Sequence, residues 1–201
     1  LSKKRDSDLV LNELIDVRLF GGMVPNESRL VGVMQCEWGQ SLHDVHVESA
    51  TISSAFTSHS SKEQGAFGRK HFIAYGLYVS SFLYSPSRNE RLKEVVDGGL
   101  RKEDLELFED ALRFGTSHGR SASKGFIEPL VIVKVVKDEK VNSRFDFLSS
   151  FLHAEVLSEP VLSRYDLELD LTPLMKVLRE GVSSGDYKRV EVECGAGYDK
   201  F

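Results

Sequence analysis

At 201 residues, with 41% hydrophobic and 28% charged residues and 5 prolines, the chain is long enough for one domain with a real core, and its balance excludes disordered and collagen-like classes. A net charge of −5 counts against wholesale nucleic-acid binding, so any such site must be a local basic patch. No apolar run approaches the ~20 residues needed to cross a bilayer, and the opening LSKKRDSDL lacks the apolar stretch of a secretory signal, so a cytoplasmic protein without membrane partners is expected.

Taken in chain order, Val10, Leu14 and Val17 recur at helical spacing and predict a helix from Ser7 to Arg18, stopped by Gly21 and Gly22. Between Arg29 and Trp38 the period becomes two, with Leu30, Met34, Cys36 and Trp38 on one parity, which predicts a strand with one buried face. His43 to Phe56, rich in Val, Thr and Ile, extends that strand or begins another. The polar, glycine-containing SHSSKEQGAFGRK that follows reads as a projecting loop or hairpin. Phe72 to Tyr84 is apolar and aromatic on both parities, as in a central strand covered on each side.

Leu105, Phe108 and Leu112, broadened by Leu107, Ala111 and Phe114, predict a helix ending at Gly115. Leu130 to Val136 is a β-branched run suited to a buried strand. Phe147, Leu148, Phe151 and Leu152 suggest a helix halted before Pro160. Thr172 and Pro173 start a short helix closed by Gly181, and Lys188 to Cys194 alternates as a final strand. The order suggests an α+β fold with helices on an antiparallel or mixed sheet. With one more strand ahead of the first helix it would be βαββαβ, the ferredoxin-like arrangement of RNA-recognition domains. One domain over 1–201 is therefore expected, with the polar excursion as an insertion and an αβ appendage at about 145–201.

Several motifs have plainer explanations. Gly115-Thr116-Ser117-His118-Gly119 matches the GxSxG nucleophile elbow in letters, but that elbow needs a strand-to-helix turn and this one follows a helix. His43 and His46, three apart on a strand, would point to opposite faces and could not share a metal. Asp104, Glu106, Glu109 and Asp110 read as a solvated helix face. Cys36 and Cys194, without CxxC spacing, read as buried thiols, so neither a disulfide nor a zinc site is expected. In the excursion, Lys62, Arg69, Lys70 and His71 lie among Phe56, Phe67 and Phe72. Such interleaving suits single-stranded RNA, with cations on phosphates and rings stacked on bases. On composition alone, a loop whose phenylalanines pack on the core fits equally well.

Read in order, IDVRLFGG at Ile15 to Gly22, VGVMQCEWGQ at Val31 to Gln40, SLHDVHVESATISSAF, GAFGRKHFIAYGLY, the helix KEDLELFEDALRFGT at Lys102 to Thr116 and EPLVIVKV at Glu128 to Val135 form a recognisable series. The chain resembles the type I-B Cas-seven family, the backbone protein of the CRISPR Cascade complex, over roughly Leu14 to Val136. The resemblance implies an RNA-recognition-like palm with a projecting thumb within Thr51 to His71. It also implies many copies polymerising along one guide RNA beside other Cascade subunits, with target DNA reached through pairing to the guide.

It implies antiviral defence without catalysis and calls for no cofactor or metal. The family's N-terminal strand is missing, and since the chain opens on Leu1 rather than Met, an upstream segment is one expected source of it and another chain is the other. The implied RNA contacts are Lys62, Arg69, Lys70 and His71 to phosphate and Phe67 as a wedge or stack. They are joined by Gln35, Trp38, Ser53, Ser54 and Arg18, of which Trp38 could equally be core and Arg18 a helix-end charge. The competing classes are an endoribonuclease of the same fold, with His71 as general base and a glycine-rich turn at Cys194 to Gly197, and a protein interaction module.

Overall fold

In the computed structural model, which describes residues 13–24, 28–53, 67–118, 126–137 and 147–195, the first described helix, α1, spans Ile15–Phe20 and stops at Gly21 (φ 81°). Residues 7–12 of the expected helix lie outside the described residues. Strand β1 (Gly21–Val24) then turns back antiparallel on β2 (Ser28–Val31), with Gly21 opposite Val31. The single strand expected over Arg29 to Trp38 is broken in two, because the chain bends at Gly32 before β3 (Met34–Cys36). A Cβ on Gly32 would stand 2.3 Å from the Phe20 carbonyl carbon, so only glycine lets the bend pass the end of α1 so closely. The buried face ends at Met34: Cys36 is exposed, and Trp38 is 95% exposed.

From there the chain runs outward through β4 (Gln40–Ser41) and β5 (Val47–Ser53) and returns through β6 (Phe67–Ile73), β7 (Tyr78–Val79) and β8 (Phe82–Tyr84). The pairs are nested, β5 with β6, β4 with β7 and β3 with β8, all antiparallel, so residues 34–53 and 67–84 form one interrupted two-stranded arm. This replaces the covered central strand expected over Phe72 to Tyr84. Ile73, Tyr78, Phe82 and Leu83 are all at least two-fifths exposed. An apolar run on both parities does not require cover on both sides, and here Phe72, Tyr75, Leu77, Val79 and Tyr84 are only half-buried.

After the arm, α2 (Pro86–Leu92) starts on its proline, and α3 (Lys102–Asp110) continues through a π-helical turn (Ala111–Gly115) into α4 (Thr116–His118). The helix therefore passes through Gly115 instead of ending there, and Leu107 and Phe114 of the expected apolar stripe are exposed. Leu19, Val33, Met34, Leu92, Val96 and Leu100 form the first core, with Leu105 and Phe108 of α3 packed on it. Buried Asn89 closes its edge by accepting from the Leu100 N–H at 2.8 Å.

The remainder folds around a second core. Strands β9 (Val131–Lys137) and β12 (Tyr187–Cys194) pair antiparallel, with Val133 opposite Val192 and Val135 opposite Val190. One face of this ribbon packs on Leu171, Leu174, Val177, Leu178 and Tyr187, the cluster built around α5 (Thr172–Ser184). Burying each of those leucines contributes about 1.5–3 kcal/mol. The helix runs on past Gly181, to a left-handed cap at Gly185 (φ 82°). The helix expected near Phe147 is a single 3-10 turn (Leu148–Phe151), followed by an unexpected hairpin of β10 (His153–Val156) and β11 (Leu167–Asp170).

The fold is thus mixed helix and strand, and among the described residues every strand has one partner, in six two-stranded ribbons. None of the described helices is long and apolar enough to cross a membrane.

Candidate nucleic-acid interface

Strands β5 and β6 place the central basic residues. Their register sets Thr51 opposite Arg69, Ser49 opposite His71 and Val47 opposite Ile73. Side chains alternate across a strand, so these six share one face, while Glu48, Ala50, Lys70 and Phe72 belong to the other. The first face is the more open one: Ser49, Thr51, Arg69 and His71 are all exposed, whereas on the other Glu48 and Ala50 are exposed but Lys70 and Phe72 are half-buried. It carries a guanidinium, an imidazole and two hydroxyls and no carboxylate among the described residues. The carboxylate of Glu48 sits on the opposite face, 3.8 Å from His46. Arg69 and Lys70, adjacent in sequence, therefore serve different faces.

The other sequence-predicted contacts are dispersed. Ser53 and Phe67 form the outermost described rung of the ribbon, and Ser54 and Lys62 lie outside the described residues. Gln35 is exposed on β3. With its amide oxygen turned toward Arg88 it accepts from both terminal guanidinium nitrogens, at 3.0 and 3.2 Å. Trp38 stands in solvent beyond β3, which settles it as a surface residue and not core.

Arg18 does not reach the surface. It is 5% exposed and donates to both oxygens of Asp104, Nε to Oδ2 at 3.2 Å and Nη2 to Oδ1 at 2.6 Å. Burial alone would raise the Asp104 pKa. The Arg18 hydrogen bond, the Arg101 backbone N–H at 3.0 Å and the two arginine charges outweigh it and hold the carboxyl below its ordinary value.

Two further expectations need correction. The carboxylates of α3 are not one solvated face: Asp104 is buried, and Glu109 is half-buried beside Arg113 and Lys134. The cysteines are not buried thiols, since Cys36 is exposed and Cys194 half-buried. Ser117 lies within α4 with its hydroxyl donating to the Phe114 carbonyl at 2.8 Å, so the elbow-like letters have helical surroundings. His43 accepts from the Leu77 N–H at 3.2 Å and stacks on Tyr75. Among the described residues no three His, Cys, Asp or Glu side chains gather as metal ligands would. Of the turn at Cys194 to Gly197, Ala196 and Gly197 lie outside the described residues.

Residues 2–172 match the family described as CRISPR-associated protein Cas7. The chain belongs to the Cas7 family. Among solved structures, this Cas7 chain is similar to a chain of a "CRISPR RNA-guided surveillance complex, pre-nicking", at 18% identity and a TM-score of 0.45 over 71% of its own length. The similarity spans 40% of that solved chain. Comparison with curated proteins gives no match. Sequence reasoning missed Ser49, Thr51 and Arg88 in this Cas7 surface. The first two carry a usable signal, since they alternate with Glu48 and Ala50, but assigning them to the Arg69 face requires the hairpin register.

Proposed function

We propose that this Cas7 chain is a non-catalytic backbone subunit of a Cascade complex, acting in CRISPR antiviral defence by lining up in many copies along a single-stranded guide RNA. In this reading the end of the arm, β5 and β6, is the thumb, and the two cores with their ribbons are parts of an RNA-recognition-like palm with an αβ appendage. Each copy would hold the guide beside other subunits, ready to pair with target DNA.

The observation that carries this reading is the open face of β5 and β6, where Arg69 and His71 project without a competing carboxylate among the described residues. An anionic backbone meets attraction there although the whole chain is acidic. Exposed Trp38 and the arm's exposed Tyr78 and Leu83 supply apolar surface for bases or neighbouring copies. Arg18 has no part in this contact set, because its guanidinium is buried on Asp104.

The test is binding of a labelled single-stranded RNA over a salt series, with mass measured by light scattering. The expected result is growth to large ribonucleoprotein particles, intact RNA at the end of the incubation, and a log–log salt slope that flattens by about 0.7 in Arg69→Ala for the lost phosphate contact. An unchanged slope and affinity in Arg69→Ala removes the site. Cleavage of the RNA that disappears in His71→Ala establishes the endoribonuclease class instead.

A further inference from the structure

On the polar face of the arm each nitrogen-bearing side chain is paired with a hydroxyl. Arg69 has Thr51 directly across the ribbon, and His71 has Ser49. Cross-strand neighbours on one face have Cβ atoms about 5 Å apart, so each nitrogen-bearing side chain has a hydroxyl within one contact's width. The motif then repeats after two residues, about 6.7 Å along the strand. At the base of the face the next rung is apolar, Val47 with Ile73, 53% and 43% exposed.

A single-stranded polynucleotide also alternates, phosphate with sugar. With Arg69 on a phosphate, a ribose next to that phosphate would be within reach of the hydroxyl across the same rung. A serine or threonine hydroxyl donates and accepts, and the ribose 2′-OH does the same, so the two can bond in either sense. DNA offers no such group, and the 2′-OH is the feature by which a protein tells the two polymers apart at a given position. A carboxylate here would read a 2′-OH too but would repel the phosphate, and none stands on this face among the described residues.

We infer that Ser49 and Thr51 are specificity-determining residues, whose hydroxyls select RNA over DNA of the same sequence on the Arg69–His71 face. The inference rests on the proposed nucleic-acid role of that face. Arg69 supplies charge attraction, which both polymers share. The hydroxyls supply the preference, at about fivefold per hydrogen bond for exposed neutral groups.

The experiment measures anisotropy of a fluorescent RNA oligonucleotide and of the DNA oligonucleotide of identical sequence, against the full 201-residue chain. The variants are Ser49→Ala, Thr51→Val, Thr51→Ser and Arg69→Ala, each checked by thermal melting. The three side chains changed are exposed, so the melting curves should match the unmodified chain. Ser49→Ala and Thr51→Val are expected to weaken RNA binding about fivefold each while leaving DNA binding as it was. Thr51→Ser, which keeps the hydroxyl, should keep the preference. An RNA-to-DNA affinity ratio that stays at its original value in both Ser49→Ala and Thr51→Val, or a ratio of one in the unmodified chain, overturns this inference. Equal binding by Arg69→Ala and the unmodified chain, for both polymers, overturns the proposed role of the face instead.

Discussion

Arg18 and Asp104 stand 86 positions apart in sequence and meet in a two-pronged ion pair that joins α1 to the first turn of α3. Their side chains are 6% and 10% exposed, so the partner left after removing either one would be a charge stranded away from water. Asp104→Asn should therefore destabilise the fold by about 3–5 kcal/mol in urea unfolding, whereas the apolar pair Arg18→Met with Asp104→Leu should recover most of that loss. The folded-state pKa of Asp104 is depressed, so its contribution is complete above the unfolded value of about 4 and is lost as pH falls through the lower folded value. Urea midpoints measured downward from pH 5 should fall less steeply in Asp104→Asn than in the unmodified chain. Trp38 is the opposite case at this scale. It is the chain's one tryptophan and is 95% exposed, so Trp38→Ala should change stability by less than about 0.5 kcal/mol. The emission it removes should be that of indole in water, quenched when RNA is added if Trp38 lies on the path of the guide.

Among elements, α5 shows most directly how a neighbour can override a local rule. Gly181 is a poor helix residue, and alanine in its place would gain about 1 kcal/mol of propensity. Yet a Cβ there would come 2.3 Å from the ring of Tyr187, which is itself buried at the start of β12. Forcing that ring aside costs about 1–3 kcal/mol, so Gly181→Ala should be net destabilising in thermal melting despite its better propensity. The sequence places a helix stop at Gly181 because glycine is read by its backbone freedom, while its use here is to be small. Elements whose period and neighbours agree were legible: the valine run of β9, the alternation of β12, and the stripe of α3 near Leu105 and Phe108. The run from Phe72 to Tyr84 was not, because a half-covered ribbon in an arm leaves the same letters as a strand buried on both sides. For the site, the basic residues of the arm could be read directly. Their division into faces could not, since it depends on the register that puts Thr51 opposite Arg69.

For the whole molecule, the two cores share no residue, and a cluster of charges crosses between them. Arg113, in the π-helical turn, donates to Glu193 of β12 from Nε at 2.6 Å and from Nη2 at 2.5 Å, and contacts Asp110 at 3.3 Å and Glu109 at 3.5 Å. Glu109 also accepts from Lys134 of β9, so the helix that packs on the first core is held by both strands of the second core's ribbon. The Arg113 bond lowers the pKa of Glu193 and keeps it ionised. A single exposed pair would contribute little, but a two-pronged arginine within a network is the arrangement in which such contacts act together. These groups lie partly in solvent, so salt reaches them: the Debye length is about 8 Å at 0.15 M and about 3 Å at 1 M. Docking of the second core against the helix should therefore be firm at low salt and loosen as salt rises, while each core keeps its own apolar packing. Spin labels on Gln35→Cys and Ser150→Cys, with Cys36 and Cys194 replaced by serine, would report the separation. The expected distance distribution is narrow in dilute buffer and broad in 1 M salt. Arg113→Leu should give the broad distribution at both, and a charge swap of Arg113→Glu with Glu193→Arg should restore part of the narrow one. A distribution equally narrow in all of these would mean that apolar contact or chain connection, and not this cluster, fixes how the two halves sit.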